Sequence, residues 1–131
     1  FVVYSITLLA FGIVLLGQRV YAQNDIVSGV KAAMEVGNAR ALVRHFNTIV
    51  ELDIKSDRAL YNKIQAEGKL RDFFKEQPPL EFMIIHSGSG GQGLEYVIAN
   101  YTSVNGDAFR CYFLIKNIGG RDVIDQFQIS Q

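Results

Sequence analysis

Hydrophobic and polar positions divide the chain into one uniform apolar run and a longer patterned region. Residues 1–17 carry no charge, and the first charged side chain is Arg19. Beyond Ala22 the pattern becomes periodic. Ile26, Val30, Ala33 and Met34 recur at helical spacing, behind Asn24 or Asp25, either of which can cap the helix. Gly37-Asn38 interrupts it, and Asn38 can cap a second, shorter helix over residues 39–46 with Leu42 and Phe46 turned inward. Residues 49–54 then alternate, with Val50, Leu52 and Ile54 on one side and Glu51 and Asp53 on the other. This predicts a short strand with one wet face, on which Asp53 is solvent-exposed.

Ser56-Asp57 is expected to open the longest helix, running to about Gln77 with Leu60, Ile64, Leu70, Phe73 and Phe74 on or near one stripe. Gly68 inside it marks an expected close packing contact, because a helical glycine costs about 1 kcal/mol against alanine. Pro78-Pro79 ends the helix. Everything after that reads as strands: residues 81–86, a glycine-rich loop, 94–104, a type I′ hairpin at Asn105-Gly106, 107–117, a turn at Gly119-Gly120, and 121–129. The fold class is therefore α+β. A curved antiparallel sheet wraps the long helix, preceded by two N-terminal helices and a short strand.

Length and charge narrow the function classes. The chain has 131 residues, 49% of them hydrophobic, with 13 basic and 13 acidic side chains. That composition fits one packed domain and excludes a disordered chain. Zero net charge argues against nucleic acid as a partner, because counterion release needs a basic face. A single cysteine, Cys111, excludes an internal disulfide and a cysteine-based zinc cluster. The apolar run ending Val20-Tyr21-Ala22 resembles a secretory signal peptide cut after Ala22. Its alternative is an uncleaved membrane anchor, although 17 apolar residues fall short of the roughly 20 that span a bilayer. No positive n-region or initiator Met precedes the run, so the chain is expected to lack its first residues. The expected organisation is a signal peptide at 1–22 and one domain at 23–131, periplasmic or extracellular, with no membrane contact after cleavage.

The candidate chemistry is sparse. Residues 88–93, Gly-Ser-Gly-Gly-Gln-Gly, contain a literal G-x-G-x-x-G, but a strand follows instead of the helix that would meet a pyrophosphate. The segment is expected to be a flexible hairpin loop, and no cofactor is implied. His45 and His86 cannot make a three-ligand metal site without carboxylates, and neither lies in an H-x-x-x-H spacing, so no metal is expected. His86, at a strand end beside a loop, and Asp53 are the candidates for a catalytic base. Asp107, directly after Asn-Gly, reads as turn chemistry. Cys111 lies between Phe109 and Phe113 on one strand side, which predicts a buried, inert thiol. Arg110, Tyr112, Leu114 and Lys116 form the more amphipathic, outer side of the same strand. Tyr96 and Tyr101 fall on opposite faces of theirs. A sheet with large side chains on both faces needs a cover on each, which a second copy of the chain would supply. His86, Tyr96, Arg110 and Tyr112 are accordingly the candidates for binding a ligand or a partner.

Several stretches carry a resemblance. Residues 41–46 (Ala-Leu-Val-Arg-His-Phe), 65–67 (Gln-Ala-Glu), 70–74 (Leu-Arg-Asp-Phe-Phe), 86–88 (His-Ser-Gly), Asn105-Gly106 and 109–113 (Phe-Arg-Cys-Tyr-Phe) together resemble the bacterial domain-of-unknown-function family 4783 of small exported proteins. The element order resembles the nuclear transport factor 2-like (cystatin-like) cone. The resemblance implies that fold and an exported location, and brings no established activity. Its superfamily includes isomerases and dehydratases that use Asp, His and Tyr inside the cone, and members that only bind. Three readings follow. The first is a non-catalytic module binding a small apolar ligand or a protein partner, expected as a homodimer. The second is an isomerase or dehydratase with His86 or Asp53 as base and a tyrosine as donor. The third is a structural dimerisation domain.

Overall fold

The structure, a computed structural model, describes residues 25–131. The signal-peptide reading of residues 1–22 and the Asn24 cap lie outside these residues. Among the described residues no helix is long and apolar enough to cross a membrane.

Helix α1 (Asp25–Val36) is followed by α2 (Ala39–Val43), which Asn38 caps by accepting the Ala41 N–H at 3.0 Å. The second helix ends three residues earlier than its periodicity predicts. Phe46 instead opens β1 (Phe46–Ile54), where it pairs with Ile124 and packs its ring 5.6 Å from that of Phe127. A partner distant in sequence has overridden local helical spacing.

The largest correction concerns the residues after Ile54. No helix begins at Ser56-Asp57. Lys55 and Ser56 both take positive φ (54° and 72°) and form a two-residue turn into β2 (Asp57–Asn62). Helix α3 (Lys63–Glu76) starts only after that, at a capping box in which Asn62 accepts the Gln65 N–H at 2.9 Å. The Gln65 side chain returns the bond to the Asn62 N–H at 3.1 Å. The shorter helix buries Ala66, Leu70, Phe73 and Phe74, whereas Leu60 and Ile64, expected on its apolar stripe, are exposed.

Four strands complete the chain: β3 (Pro79–Gly91), β4 (Leu94–Ser103), β5 (Ala108–Ile118) and β6 (Arg121–Ser130). The glycine-rich segment is not a loop. β3 runs through it to Gly91, leaving only Gln92-Gly93 as the turn. The Asn105-Gly106 connection is likewise not type I′, since within it only Gly106 has positive φ (88°). Its N–H donates to the Ser103 carbonyl at 3.0 Å and Ser103 N–H to the Asp107 carbonyl at 2.9 Å, the pattern of a type I turn with a glycine bulge. That geometry frees the Asn105 amide to donate to the Glu76 carbonyl at 2.9 Å and tie the hairpin to the end of α3.

The sheet order is β2-β1-β6-β5-β4-β3. All neighbours are antiparallel except β1 and β6, so the sheet is mixed, not wholly antiparallel. The reason is α3, which carries the chain from β2 at one edge to β3 at the other. The meander built back from β3 therefore ends with β6 running alongside β1. Register shifts in β1, β3 and the β5–β6 pair mark bulges, which bend strands and give the sheet its curve.

The inner face of the curve is filled. Phe73 packs 5.3 Å from Phe109, 5.5 Å from Tyr101 and 5.8 Å from Phe74, and Phe127 lies 5.8 Å from Phe113. Tyr101 has no solvent exposure, and its hydroxyl donates to the Gln77 carbonyl at the end of α3. Gly68 does not make the expected close contact, because a Cβ built there meets nothing within 4 Å. Gly68→Ala should therefore raise stability by about 0.5–1 kcal/mol in chemical denaturation, by reducing the freedom of the unfolded chain. A loss of stability would mean that the site is more crowded than its geometry indicates.

Candidate functional site

The candidate binding residues and Asp53 lie on the opposite, outer face, where register sets most of them in rows. One row runs Arg58, Asp53, Gln128, Tyr112, Ile98 and His86 from the β2 edge to the β3 edge. The next runs Leu60, Glu51, Gln126, Leu114, Tyr96 and Gly88. Arg110, beside the first row on β5, donates from Nε to Asn100 Oδ1 at 3.1 Å. All four candidate binding residues, His86, Tyr96, Arg110 and Tyr112, thus share this face, and of these the alternation of β5 predicts Arg110 and Tyr112.

His86 is exposed near the β3 edge, with Nε2 3.1 Å from the Tyr96 hydroxyl and its ring 5.6 Å from the tyrosine ring. Gly88 makes this pair possible. A Cβ at Gly88 would stand 2.6 Å from the Tyr96 hydroxyl oxygen and 2.7 Å from Cζ, so the tyrosine lies directly over the glycine backbone. The glycines of the rejected nucleotide motif serve packing and turning within a hairpin.

Asp53 is the main departure from expectation. It is on the outer face but only 8% exposed, because β2 folds back beside it and brings Arg58 across the strand pair. Arg58 Nε donates to Asp53 Oδ2 at 3.2 Å and stands 3.8 Å from Glu51 Oε1. Asp53 Oδ1 is buried and has no hydrogen-bond partner, alone in this among the described residues. Glu51, Asp53, Arg58, Tyr112, Gln126 and Gln128 line a cavity of about 150 Å³ here. Arg58, Gln126 and Gln128 were not visible as site residues in the sequence. The signal for Arg58 was the Asn62–Gln65 capping box, which moves the helix start past it and makes 57–62 a strand.

The candidate catalytic groups do not converge. Three strands separate β1 from β3, so Asp53 and His86 lie four strand spacings apart, roughly 19 Å. His45 sits at the α2–β1 junction with its ring against Gly29 of α1. Its pKa is held below the usual histidine value, first by burial and then by the nearby charges of Arg44 and Lys63. Cys111 is fully buried, and burial alone pushes its thiol up to about 12, so it lacks the thiolate needed for reactivity. Asp107 serves the turn region, accepting from Gln77 Nε2 at 2.9 Å. Among the described residues no cluster of three His, Cys, Asp or Glu is arranged to hold a metal.

Comparison with known proteins agrees with this geometry. Residues 27–130 match the family described as Domain of unknown function (DUF4783). The comparison with curated proteins gives no match. Among solved structures, a DUF4783 family protein from Bacteroides ovatus is similar with a TM-score of 0.74 and 23% identity, covering 79% of this chain and 93% of that one. One from Bacteroides fragilis is similar with a TM-score of 0.72 and 27% identity, covering 79% of this chain and 95% of that one. A hypothetical protein with a ketosteroid isomerase-like fold from Catenulispora acidiphila is similar with a TM-score of 0.61 and 18% identity, covering 82% of this chain and 85% of that one. With its helices on the inner face of a curved six-stranded sheet, and a family match across nearly every described residue, the chain belongs to the DUF4783 family and has a nuclear transport factor 2-like fold.

Proposed function

We propose that this protein is an exported, non-catalytic binding module that works through the outer face of its sheet, where it meets a protein partner and a second copy of itself. The observation that carries this reading is the division of the two faces. The inner face is closed by aromatic packing, with Tyr101, Phe113 and Phe127 at most 1% exposed. The outer face presents Tyr96, Ile98, Tyr112 and Leu114 half-buried among polar neighbours. Mixed apolar and polar surface of this kind is what protein interfaces are made of. The same division counts against a small apolar ligand inside the cone, and against an isomerase or dehydratase, whose Asp, His and Tyr must meet around one substrate atom. Export, to the periplasm or the exterior, is supported by the apolar run at 1–17 and by a family match that begins at residue 27.

The test is to express the full chain in a bacterial host and recover the product from the periplasm or medium. Mass spectrometry should find an N-terminus at Gln23, and sedimentation velocity a dimer that Ile98→Lys dissociates. A cytoplasmic product that keeps residues 1–22, expressed behind an initiator Met and a basic n-region, would overturn export. A monomer at high concentration, with outer-face amide shifts independent of dilution, would overturn the role in self-association.

A further inference from the structure

The two edges of the sheet are unlike. β2 closes one edge with six residues, of which the first two, Asp57 and Arg58, are charged and exposed, a means of keeping an edge from pairing. β3 closes the other edge with thirteen residues and a single charge, Glu81. It pairs only with β4, so the backbone N–H and C=O groups on its far side meet no strand. Leu80, Met83 and Ile85 stand exposed along it. A long apolar edge of this kind is a template for another strand.

Register makes this edge complementary to itself. Glu81, Phe82, Met83 and Ile84 pair in turn with Thr102, Tyr101, Asn100 and Ala99, and His86 pairs with Ile98, which leaves Ile85 as an extra, bulged residue. Glu81, Met83 and His86 therefore share the outer face, while Phe82 and Ile84 turn inward with Tyr101 and Ala99. A two-fold axis through Met83 places an antiparallel copy so that Met83 meets Met83, Phe82 meets Ile84 and Glu81 meets His86. Each pair then lies on one face, as cross-strand pairing requires. His86 Nε2 meets the Tyr96 hydroxyl at 3.1 Å, which leaves Nδ1 to donate to the Glu81 carboxylate of the other copy.

We propose that β3 is a docking edge for a second copy of the chain, paired antiparallel about Met83 so that two six-stranded sheets run on as one. The contact goes beyond the outer-face reading above. Its axis stands perpendicular to the sheet, whereas a face-to-face axis lies parallel to it, so both contacts fit in one tetramer. The edge contact is the weaker, because one added pair of strands is marginal without further packing.

The test is disulfide trapping on the full chain under copper–phenanthroline oxidation. Opposed residues of antiparallel strands have Cα atoms about 4.5–5.5 Å apart, within the span of roughly 4.4–6.8 Å that a disulfide bridges. Met83→Cys should therefore cross-link to its own copy. Glu81→Cys and His86→Cys, each about 14 Å from its own copy, should cross-link only when the two variants are mixed. Cys111 is fully buried and stays silent, and Leu60→Cys, exposed on the β2 edge, measures chance collision. Sedimentation equilibrium gives a second readout. The parent should pass from dimer to tetramer with rising concentration, and Ile98→Lys from monomer to dimer. Met83→Lys should stop at the dimer, because two lysines then face each other across the axis. Met83→Cys cross-linking no faster than Leu60→Cys, or Met83→Lys assembling like the parent, would overturn the edge contact and leave the outer-face reading standing. A parent whose sole association is the one that Met83→Lys removes would overturn the outer-face contact and support this one.

Discussion

Phe73→Ala is expected to destabilise the protein by about 3–5 kcal/mol, the range for deleting a large aromatic from a packed core. Phe73 is 4% exposed and at the centre of the inner-face cluster, within 6 Å of the rings of Phe74, Tyr101 and Phe109. α3 contributes it and the sheet contributes two of its neighbours, so the truncation loosens the contact that holds the helix in the curve. Urea denaturation followed by circular dichroism reads the loss. A second readout bears on function. Truncation of a buried apolar group leaves a dry cavity that takes up benzene-sized molecules. Benzene should therefore stabilise Phe73→Ala and leave the parent chain unchanged. Stabilisation of the parent would mean that the native curve already holds an apolar ligand site, contrary to its packing. A loss below about 1 kcal/mol would mean that Phe73 is not part of the core.

Gly88→Ala is expected to cost no more than about 1 kcal/mol, because the atoms in its way are the ring tip of a half-exposed tyrosine that can turn aside. The added Cβ would come within 2.8 Å of three Tyr96 atoms, so the ring must leave the β3 backbone and its bond to His86. The clash is specific, and a double-mutant cycle isolates it. In a Tyr96→Ala background the same glycine substitution should be neutral or slightly stabilising, giving a coupling of about 0.5–1 kcal/mol. Additive effects would show that Tyr96 does not rest on Gly88. Without that contact, the His86–Tyr96 pair would lose the support that orients it on the outer face.

Legibility of the structure followed the range of the interactions. The α2 start at Asn38, the turn at Gly119-Gly120, the alternation of β5 and the burial of Cys111 all follow from neighbours within a few residues, and each is found where the pattern puts it. The second half of the supposed long helix is real for the same reason, since Leu70, Phe73 and Phe74 hold helical spacing. Its first half failed because residues 57–62 support either period. Leu60 and Ile64 fit a helical stripe, while Ala59 and Tyr61 fit an alternating strand. Pairing with β1 decided between them, and the bonds it forms are invisible in a linear pattern. Asp53 was misread as a consequence. Without β2 there was no Arg58 beside it and no wall to bury it.

The sequence by itself determined the α+β class, the meander and which face of β5 turns inward, because alternation and turn chemistry are local properties of the chain. It also determined that Arg110 and Tyr112 share the outer face, whereas strand register places His86 and Tyr96 beside them. Tertiary structure alone decided that β6 lies parallel to β1, that the inside of the curve is closed by aromatic rings, and that Asp53 is buried with one oxygen unpaired. Each of these depends on strands far apart in sequence meeting in one register. Burial is a property of that meeting, and no single segment carries it.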